Sequence, residues 1–269
     1  MSYDDYIGRT ETRTDTVWPL LVRGLSATLD VPEPPGALPP LWHWALFQDW
    51  VPASALGPDG HPKRGGFLPP VHDLPRRMWA GGRLQFHTPL HAGEPVTRRS
   101  TIRSVAEKTG GSGRLVFVTV RHEIAGPSGL AITEEQDIVY RGTEGDAVKP
   151  GTPAAPIDAA AAREVLPDPV LLFRYSALTG NGHRIHYDSD YVRGEEGYPG
   201  LIVHGPLQAT WMAALAASLG SFGTFSFRGR RPAFAGSPLQ VEAWHEAGGL
   251  HLRTRDASGA VCMTAEAGA

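Results

Sequence analysis

The chain has 269 residues, enough for one large domain or two ordinary ones. Its formal net charge of −3 argues against a nucleic-acid partner, and its single cysteine, Cys262, excludes an internal disulfide and fits a reducing compartment. The N-terminus is polar without a secretory apolar core, and no apolar run has the length of a membrane span. We therefore expect a cytoplasmic protein without a membrane partner.

The first 80 residues combine predicted helix with a long irregular segment. Residues 3–29 are predicted to be helical in two pieces that break near Pro19. A short helix is expected at 41–50, inside a region rich in proline and glycine. Because that region also carries several aromatic residues, it is not typical of a disordered linker. We expect an ordered loop that walls a cavity or, more commonly, covers the core.

Strands follow in two groups. Four β-branched segments separated by glycine-rich turns begin at Gly82, and four more begin at Phe222. Between the groups lies a stretch rich in proline, alanine and glycine that has no aromatic residue, which predicts a linker. We therefore divide the chain into a first unit at 1–145, a linker at 146–168 and a second unit at 169–269.

The two groups of strands repeat one pattern. The heptapeptide PLHAGEP (89–95) matches PAFAGSP (232–238), and two further segments match in the same order after it. A long apolar helix is predicted at 206–219, ahead of the second copy only. Antiparallel strands around one central helix form the hot-dog architecture. We therefore predict an α+β fold with two hot-dog units in tandem, in which each antiparallel sheet wraps around a helix.

A polar loop and the start of this helix hold the candidate site. The loop contains Asn181, His183 and His186, and the helix is entered through His204 and Gly205. A helix N-terminus presents unpaired N–H groups and a partial positive charge, and glycine lets a ligand oxygen approach closely. Imidazole titrates nearest to neutral pH, so His186 is the natural group for proton transfer.

The chain also resembles a known family, the double hot-dog, MaoC-like acyl-thioester hydratases and dehydratases. Two segments of this chain resemble the C-terminal half of that family, namely YSALTGNGHRIHYD and YPGLIVHGPLQA. Four others resemble its N-terminal half, namely WHWALF, LGPDGHPKRGGFLPP, LPRRMWAGGRLQF and EEQDIVYR. Within the family, the resemblance is greatest to 3-methylfumaryl-CoA (mesaconyl-C4-CoA) hydratases and itaconyl-CoA hydratases. It implies a hydro-lyase that adds water reversibly to a short branched dicarboxylic enoyl-CoA. The CoA thioester would be the substrate, and no cofactor is expected.

The resemblance implies roles for the loop residues. In single-domain relatives the loop reads D-x-N-x-x-H, and its aspartate and histidine together activate water. Asn181 stands in the aspartate position here, His183 in the asparagine position, and His186 keeps the histidine. Because an amide cannot accept a proton from water, Asn181 would position water or the thioester, and His186 would act alone or with His183. Gly205 and His204 would bind the thioester oxygen, with His204 a helix-entry residue that hydrogen-bonds the loop rather than a second base.

Arginine suits the phosphates of CoA and a free acyl carboxylate, although any one arginine is more commonly solvated surface. The candidates are Arg184, Arg193, Arg228, Arg230 and Arg231, with Arg76 and Arg77 also ambiguous. No carboxylate or thiolate stands at a metal-site spacing from the histidines, so no metal is expected. The first unit lacks both the histidine loop and the helix entry. We expect it to bind substrate without doing chemistry, which leaves one active site per chain.

Other functions on this fold stay open. A dehydratase acting on 3-hydroxyacyl groups of CoA or acyl carrier protein is one, although a carrier protein calls for an electropositive docking face. A thioesterase is another, although it usually has a carboxylate at the start of the catalytic helix. A non-enzymatic acyl-CoA-binding module is the third, and fold alone does not choose among them. A homo-oligomer is also left open, because a double hot-dog already contains the usual pair of units within one chain.

Overall fold

The structure is a computed structural model that describes residues 3–110, 113–142, 151–246 and 248–269. The strands are β1 (Thr10–Thr16), β2 (Arg76–Phe86), β3 (Pro95–Gly110), β4 (Gly113–Gly126), β5 (Gly129–Arg141), β6 (Ala161–Val165), β7 (Thr224–Gly229), β8 (Leu239–Glu246), β9 (Gly249–Arg255) and β10 (Val261–Gly268). The α-helices are α1 (Pro19–Leu29), α2 (Pro169–Leu178), α3 (Ser189–Gly194) and α4 (Gly205–Leu219). Short 3₁₀ turns lie at Asp4–Tyr6, Trp42–Ala45, Ala53–Ala55 and Arg184–His186.

These strands form one antiparallel sheet in the order β1-β3-β4-β5-β2-β7-β10-β9-β8-β6. This order is symmetric about its centre, because β1 to β5 of the first half occupy positions equivalent to those of β6 to β10 in the second half. Each half begins with an edge strand and a helix and ends with four strands, and the second half has α3 and α4 in addition before its four strands. The helices α1 and α2 pack against each other. The predicted tandem hot-dog fold is therefore confirmed, with the two sheets fused into one.

The core centres on α4, which packs against β8, β9 and β10. Leu207, Met212 and Ala213 on this helix are fully buried. The predicted helix is confirmed and begins one residue earlier than expected, at Gly205. Among the described residues, no helix is long and apolar enough to cross a membrane.

The prediction of two helical pieces at 3–29 is wrong for the first piece. Its second piece is α1, but Thr10–Thr16 is the edge strand β1, which pairs with β3 from Thr10–Thr101 to Thr16–Pro95. The segment TETRTDT alternates threonine with charged residues, a pattern typical of a half-solvated strand. The short helix expected at 41–50 is also wrong beyond its start, since only Trp42–Ala45 forms a 3₁₀ turn.

The aromatic residues of that region divide between the core and the surface. Trp42 and Phe47 are buried in the main core, which confirms core cover for these two, whereas Trp50 is 74% exposed. The chain reaches this conformation with Leu41 and Phe47 at positive φ, which is uncommon for residues other than glycine. No periodic pattern could have indicated these two turns.

The predicted linker at 146–168 is wrong at its C-terminal end. Residues 143–150 lie outside the described residues, but Ala161–Val165 forms β6 and pairs with β8. This strand is the counterpart of β1 at the opposite edge of the sheet. The division at 145 and 169 stays a prediction, with β6 added to the second unit.

The two halves meet at β2 and β7, where glycines allow close approach. Gly81 pairs with Arg228 and Gly82 with Phe227. A Cβ on Gly81 would lie 2.5 Å from the Phe227 carbonyl oxygen, well inside van der Waals contact. The Ala-Gly-Gly sequence of β2 is therefore a steric requirement of the junction.

We predict that Gly81→Ala lowers the free energy of unfolding by about 1–3 kcal/mol, the usual cost of overpacking a close contact. The matched control is Gly229→Ala on the partner strand, where a Cβ would lie 3.5 Å from the Ala80 carbonyl oxygen, an ordinary contact. It should change the free energy by less than about 1 kcal/mol. Urea unfolding midpoints measure both, and equal midpoints would show that the junction tolerates a side chain.

Candidate active site

His186 lies in the 3₁₀ turn Arg184–His186, and its ring is fixed at one nitrogen. Nδ1 is 2.7 Å from the Ile202 carbonyl oxygen. Because a carbonyl only accepts hydrogen bonds, Nδ1 carries the hydrogen and Nε2 is left as an acceptor. The residue is only 6% exposed, and this burial lowers the pKa of His186 to about 4. Near neutral pH the residue is therefore an uncharged base.

His204 packs directly against this imidazole. The two rings are stacked with 3.6 Å between centroids, and His204 is fully buried at the residue before α4. Its Nε2 is 2.8 Å from Ser176 Oγ, so it bonds helix α2 rather than the histidine loop, which corrects the expected partner. Burial lowers the pKa of His204 well below its ordinary value. His204 is thus an uncharged side chain that packs against the His186 ring and fixes its orientation.

Gly205 opens α4 directly after His204. The first N–H groups of a helix have no acceptor within the helix, and Pro206, the next residue, has no N–H at all. A Cβ on Gly205 would meet only Met263 Cε, at 3.5 Å. The N–H of Gly205 therefore has no acceptor within the helix and lies at the positive end of a 15-residue helix.

Asn181 and His183 form the tip of the histidine loop. Asn181 Oδ1 accepts a hydrogen bond of 3.0 Å from the His183 N–H, so this oxygen holds the turn. The His183 ring lies 5.7 Å from the His186 ring and nearly perpendicular to it. Burial, helped by the neighbouring His61 and His186, lowers the pKa of His183 to about 2. The loop places a second neutral imidazole beside the first, while the catalytic roles of Asn181 and His183 stay predictions.

A loop from the first half, 57–61, docks onto this tip. The carbonyl oxygens of Pro58 and Asp59 accept hydrogen bonds of 3.0 and 2.9 Å from the Arg184 side chain and backbone. Gly60, at φ +86°, passes so close to Gly182 that a Cβ would overlap the Gly182 carbonyl oxygen. Backbone contacts therefore hold the two halves together at the site.

The docked loop brings Asp59 and His61 to the histidines. The His61 ring lies 4.2 Å from the His183 ring, and His61 Nδ1 is 3.0 Å from Asp59 Oδ2. No periodicity singled out these two residues, although they lie in the segment LGPDGHPKRGGFLPP that carries part of the family resemblance. Asp59, His61 and His183 each offer an atom within 4.8 Å of the others. The argument against a metal from sequence spacing is wrong on this point, because the fold supplies the carboxylate from the other half.

Arg64 and Arg77 of the first half lie near these imidazoles. Besides burial, the charge of Arg77 lowers the pKa of both His61 and His183. Arg184 pairs with Asp188 at 2.7 Å, and Arg76 pairs with Glu196 at 3.0 Å across the two halves. Three other candidates contact neighbours within the second half, namely Pro199 for Arg193, Thr264 for Arg230 and Asp256 for Arg231, whereas Arg228 pairs with Gly81 of the first half. Contacts of Arg184, Arg193, Arg230 and Arg231 with CoA stay predictions.

A double hot-dog with a buried imidazole next to a helix N-terminus is the arrangement expected of acyl-thioester hydratases and dehydratases. Residues 41–235 match the family model for hydroxyacyl-thioester dehydratase type 2. The chain is 46% identical over 270 residues to the mesaconyl-C(4)-CoA hydratase of Chloroflexus aurantiacus, covering 97% of this chain and 95% of that one. The protein therefore belongs to the hydroxyacyl-thioester dehydratase type 2 family, and the resemblance predicted from its motifs is confirmed.

Solved structures of low identity share the fold. A MaoC-like dehydratase from Phytophthora capsici superposes with a TM-score of 0.70 at 16% identity, covering 100% of this chain and 98% of that one. A Mycobacterium tuberculosis protein with a double hot-dog fold gives a TM-score of 0.61 at 14% identity, covering 97% and 95%. At these identities the likeness concerns the fold alone.

We predict that Gly60→Ala displaces the 57–61 loop, because its Cβ would overlap the Gly182 carbonyl oxygen. The matched control is Gly93→Ala. Gly93 has a similar φ of +90° but no atom within 4 Å of a Cβ, so it carries the backbone strain alone, about 1–2 kcal/mol. Thermal unfolding should show a larger loss for Gly60→Ala. Equal losses would mean that the loop does not sit on the histidine loop.

Proposed function

We propose that the protein is a hydro-lyase that adds water reversibly to the double bond of a short branched dicarboxylic enoyl-CoA, of the 3-methylfumaryl-CoA or itaconyl-CoA type. The observation that carries the proposal is the geometry of His186, a buried base with Nδ1 fixed and Nε2 available, next to the start of α4. The mesaconyl-C(4)-CoA hydratase at 46% identity supports this acyl group.

The reaction follows from the groups present. Neutral His186 takes a proton from water through Nε2, and the water oxygen adds to the β-carbon. Negative charge develops on the thioester oxygen, where the Gly205 N–H and the positive end of α4 stabilise it. A proton is then delivered to the α-carbon. Proton transfer and oxyanion stabilisation complete the reaction, so the proposed chemistry requires only the CoA thioester and water.

Burial accounts for why His186 is suited to this step. A base in water at neutral pH is partly protonated when its pKa is near 6.5. Burial keeps His186 uncharged, and the Ile202 carbonyl fixes the tautomer that leaves Nε2 as the acceptor. We also propose an acyl-CoA as the partner and the cytoplasm as the compartment, in keeping with the single buried free thiol of Cys262. A homo-oligomer stays open.

Dehydration of a 3-hydroxyacyl thioester is the second candidate, and the family description favours it. It is the reverse of the same reaction and uses the same groups, so the site does not separate the two directions. A thioesterase reaction would require attack at the carbonyl carbon. A panel of substrates distinguishes these outcomes.

The experiment is to incubate the purified protein with 3-methylfumaryl-CoA, itaconyl-CoA, crotonyl-CoA, a 3-hydroxyacyl-CoA and a saturated acyl-CoA. The absorbance of the conjugated double bond and the release of free thiol are followed together. We expect hydration of the dicarboxylic esters on the order of 10–100-fold faster than crotonyl-CoA, the range that differential pocket contacts provide. Preference for crotonyl-CoA would contradict the acyl assignment, and thiol release would contradict the reaction.

We predict that His186→Asn lowers kcat about 10²–10⁴-fold, the usual worth of a positioned proton-transfer group. The asparagine amide can still donate to the Ile202 carbonyl, so the turn should stay folded. The exposed His87→Asn is the matched control and should keep wild-type activity. Activity of the His186 variant at the wild-type level would remove this residue from the mechanism.

In the wild-type protein, the acidic limb of kcat/KM against pH should fall near pH 4. The base acts in its neutral form, so activity is lost as the pH drops through the pKa of His186, which burial lowers to about 4. An acidic limb near the ordinary histidine pKa of about 6.5 would show that an exposed imidazole acts as the base.

A further inference from the structure

The proposed mechanism leaves the source of the α-carbon proton unassigned. We propose that His61, contributed by the first half, is the general acid of the reaction and that Asp59 is its positioning residue. This inference rests on the proposed function and makes the site a composite of both halves. It also replaces the expectation that the first half only binds and covers the substrate.

The local structure around His61 is built to hold it in one orientation. Asp59 Oδ1 accepts a hydrogen bond of 3.1 Å from the His61 backbone N–H, and Asp59 Oδ2 lies 3.0 Å from His61 Nδ1. Because a carboxylate only accepts, Nδ1 carries a hydrogen and Nε2 is the atom that can exchange a proton with a ligand. Both side chains are about three-quarters buried, at 21% exposure for His61 and 26% for Asp59. A solvated loop residue would have neither this burial nor two hydrogen bonds to one carboxylate.

The loop itself is held at the site by the second half. Arg184 donates to the carbonyl oxygens of Pro58 and Asp59 from its side chain and its backbone. The Gly60–Gly182 crossing excludes any side chain between the two backbones. His61 therefore cannot withdraw from His183 without breaking the contacts between the halves.

Of the three neighbouring imidazoles, His61 is the one that a carboxylate can hold in its protonated form. His186 bonds a neutral carbonyl, and no described residue provides a carboxylate at hydrogen-bond distance from His183. Burial lowers the pKa of all three, and the charge of Asp59 opposes this for both His61 and His183, but only His61 also donates a hydrogen bond to that carboxylate. Burial would raise the pKa of Asp59, yet the hydrogen bonds and charge of His61 outweigh it and hold that pKa well below its usual range. The hydrogen-bond partner of each ring, a carboxylate for His61 and a backbone carbonyl for His186, assigns the acid to His61 and the base to His186.

The proton balance closes with these groups. A water O–H bond breaks and its proton goes to His186 Nε2, while the oxygen electron pair forms the C–O bond at the β-carbon. The π electrons of the double bond move towards the α-carbon and the thioester oxygen. The α-carbon then takes the proton of protonated His61 Nε2, and His61 becomes neutral. The proton on His186 returns to His61 by way of His183, whose ring lies 5.7 Å from that of His186 and 4.2 Å from that of His61.

This arrangement accounts for the departure of the loop from the single-domain pattern. Asn181 occupies the position of the aspartate but cannot carry charge, and its oxygen is engaged by the His183 N–H. The carboxylate of the site is instead Asp59, supplied from the first half. The site thus contains a carboxylate although positions 181–186 of the loop have none.

The test compares His61→Asn and Asp59→Asn with the wild-type protein, using the ester that the wild type hydrates. Asparagine at 61 can still donate to Asp59 but has no counterpart of Nε2, so the loop should stay folded. We expect kcat about 10²–10³-fold lower with KM changed less than threefold, because the acid acts in the chemical step. The matched control is His91→Asn, an exposed histidine of the same half that pairs with Glu94 at 3.4 Å, and it should keep wild-type kcat.

The pH profile separates a proton donor from a merely structural residue. The charged and titratable groups near His61 are Asp59, Arg64, Arg77, His183 and His186. An acid must be protonated, so activity falls on the alkaline side as His61 loses its proton. Asp59 raises the pKa of His61, so Asp59→Asn should move that alkaline limb to lower pH, while the acidic limb from His186 stays in place. This readout uses a second variant and does not depend on His61→Asn.

Three results would overturn the inference. One is wild-type kcat in a folded His61→Asn protein, and another is an unmoved alkaline limb in folded Asp59→Asn. The third is loss of wild-type activity on treatment with EDTA and its recovery with Zn²⁺, which would make Asp59, His61 and His183 metal ligands. The proposed function survives all three as long as the wild type hydrates an enoyl-CoA. If the wild type hydrates none of the panel, the function and this inference both fall.

Discussion

The pairing of β2 with β7 is the interaction on which the rest of the structure depends. It fuses two hot-dog units into one sheet, and it is possible because Gly81 and Gly82 bring no side chain to the point where the strands meet. A fixed junction also fixes the loop that precedes β2 in the chain. The loop at 57–61 can therefore reach the histidine loop of the other half, where its carbonyl oxygens accept hydrogen bonds from the backbone and side chain of Arg184. The composite site is a consequence of the continuous sheet.

Burial then sets the chemistry of that site. His61, His183, His186 and His204 all lie in contact within the protein, and removal from water disfavours the charged form of each imidazole. What distinguishes them is the partner of each ring: a carboxylate for His61, a backbone carbonyl for His186 and a hydroxyl for His204. Four chemically identical side chains are thereby given different proton affinities by their surroundings.

The two halves have the same topology but contribute unequally. Both contain an edge strand, a helix and four further strands in the same order. Only the second half places the 15-residue helix α4 against its sheet, and the described part of the first half has a 3₁₀ turn at Trp42–Ala45 after α1. Because a helix N-terminus is the proposed source of the oxyanion donor, the described residues offer one such position instead of two. The first half keeps its sheet and supplies the docked loop.

The sequence by itself determined the repeat, the eight main strands, the buried helix and the family, because each depends on patterns that are local or repeated along the chain. It also indicated His186 and Gly205, which stand in motifs next to that helix. The sequence did not predict the strands β1 and β6. Short edge strands of polar or small residues carry little periodic signal, and pairing with distant strands stabilises them. Only the tertiary structure decided that Asp59 and His61 join His183, because more than 120 positions separate them in the chain and backbone contacts bring them together. The closeness of these residues in space arises from the pairing of the two halves, and no local sequence pattern encodes it.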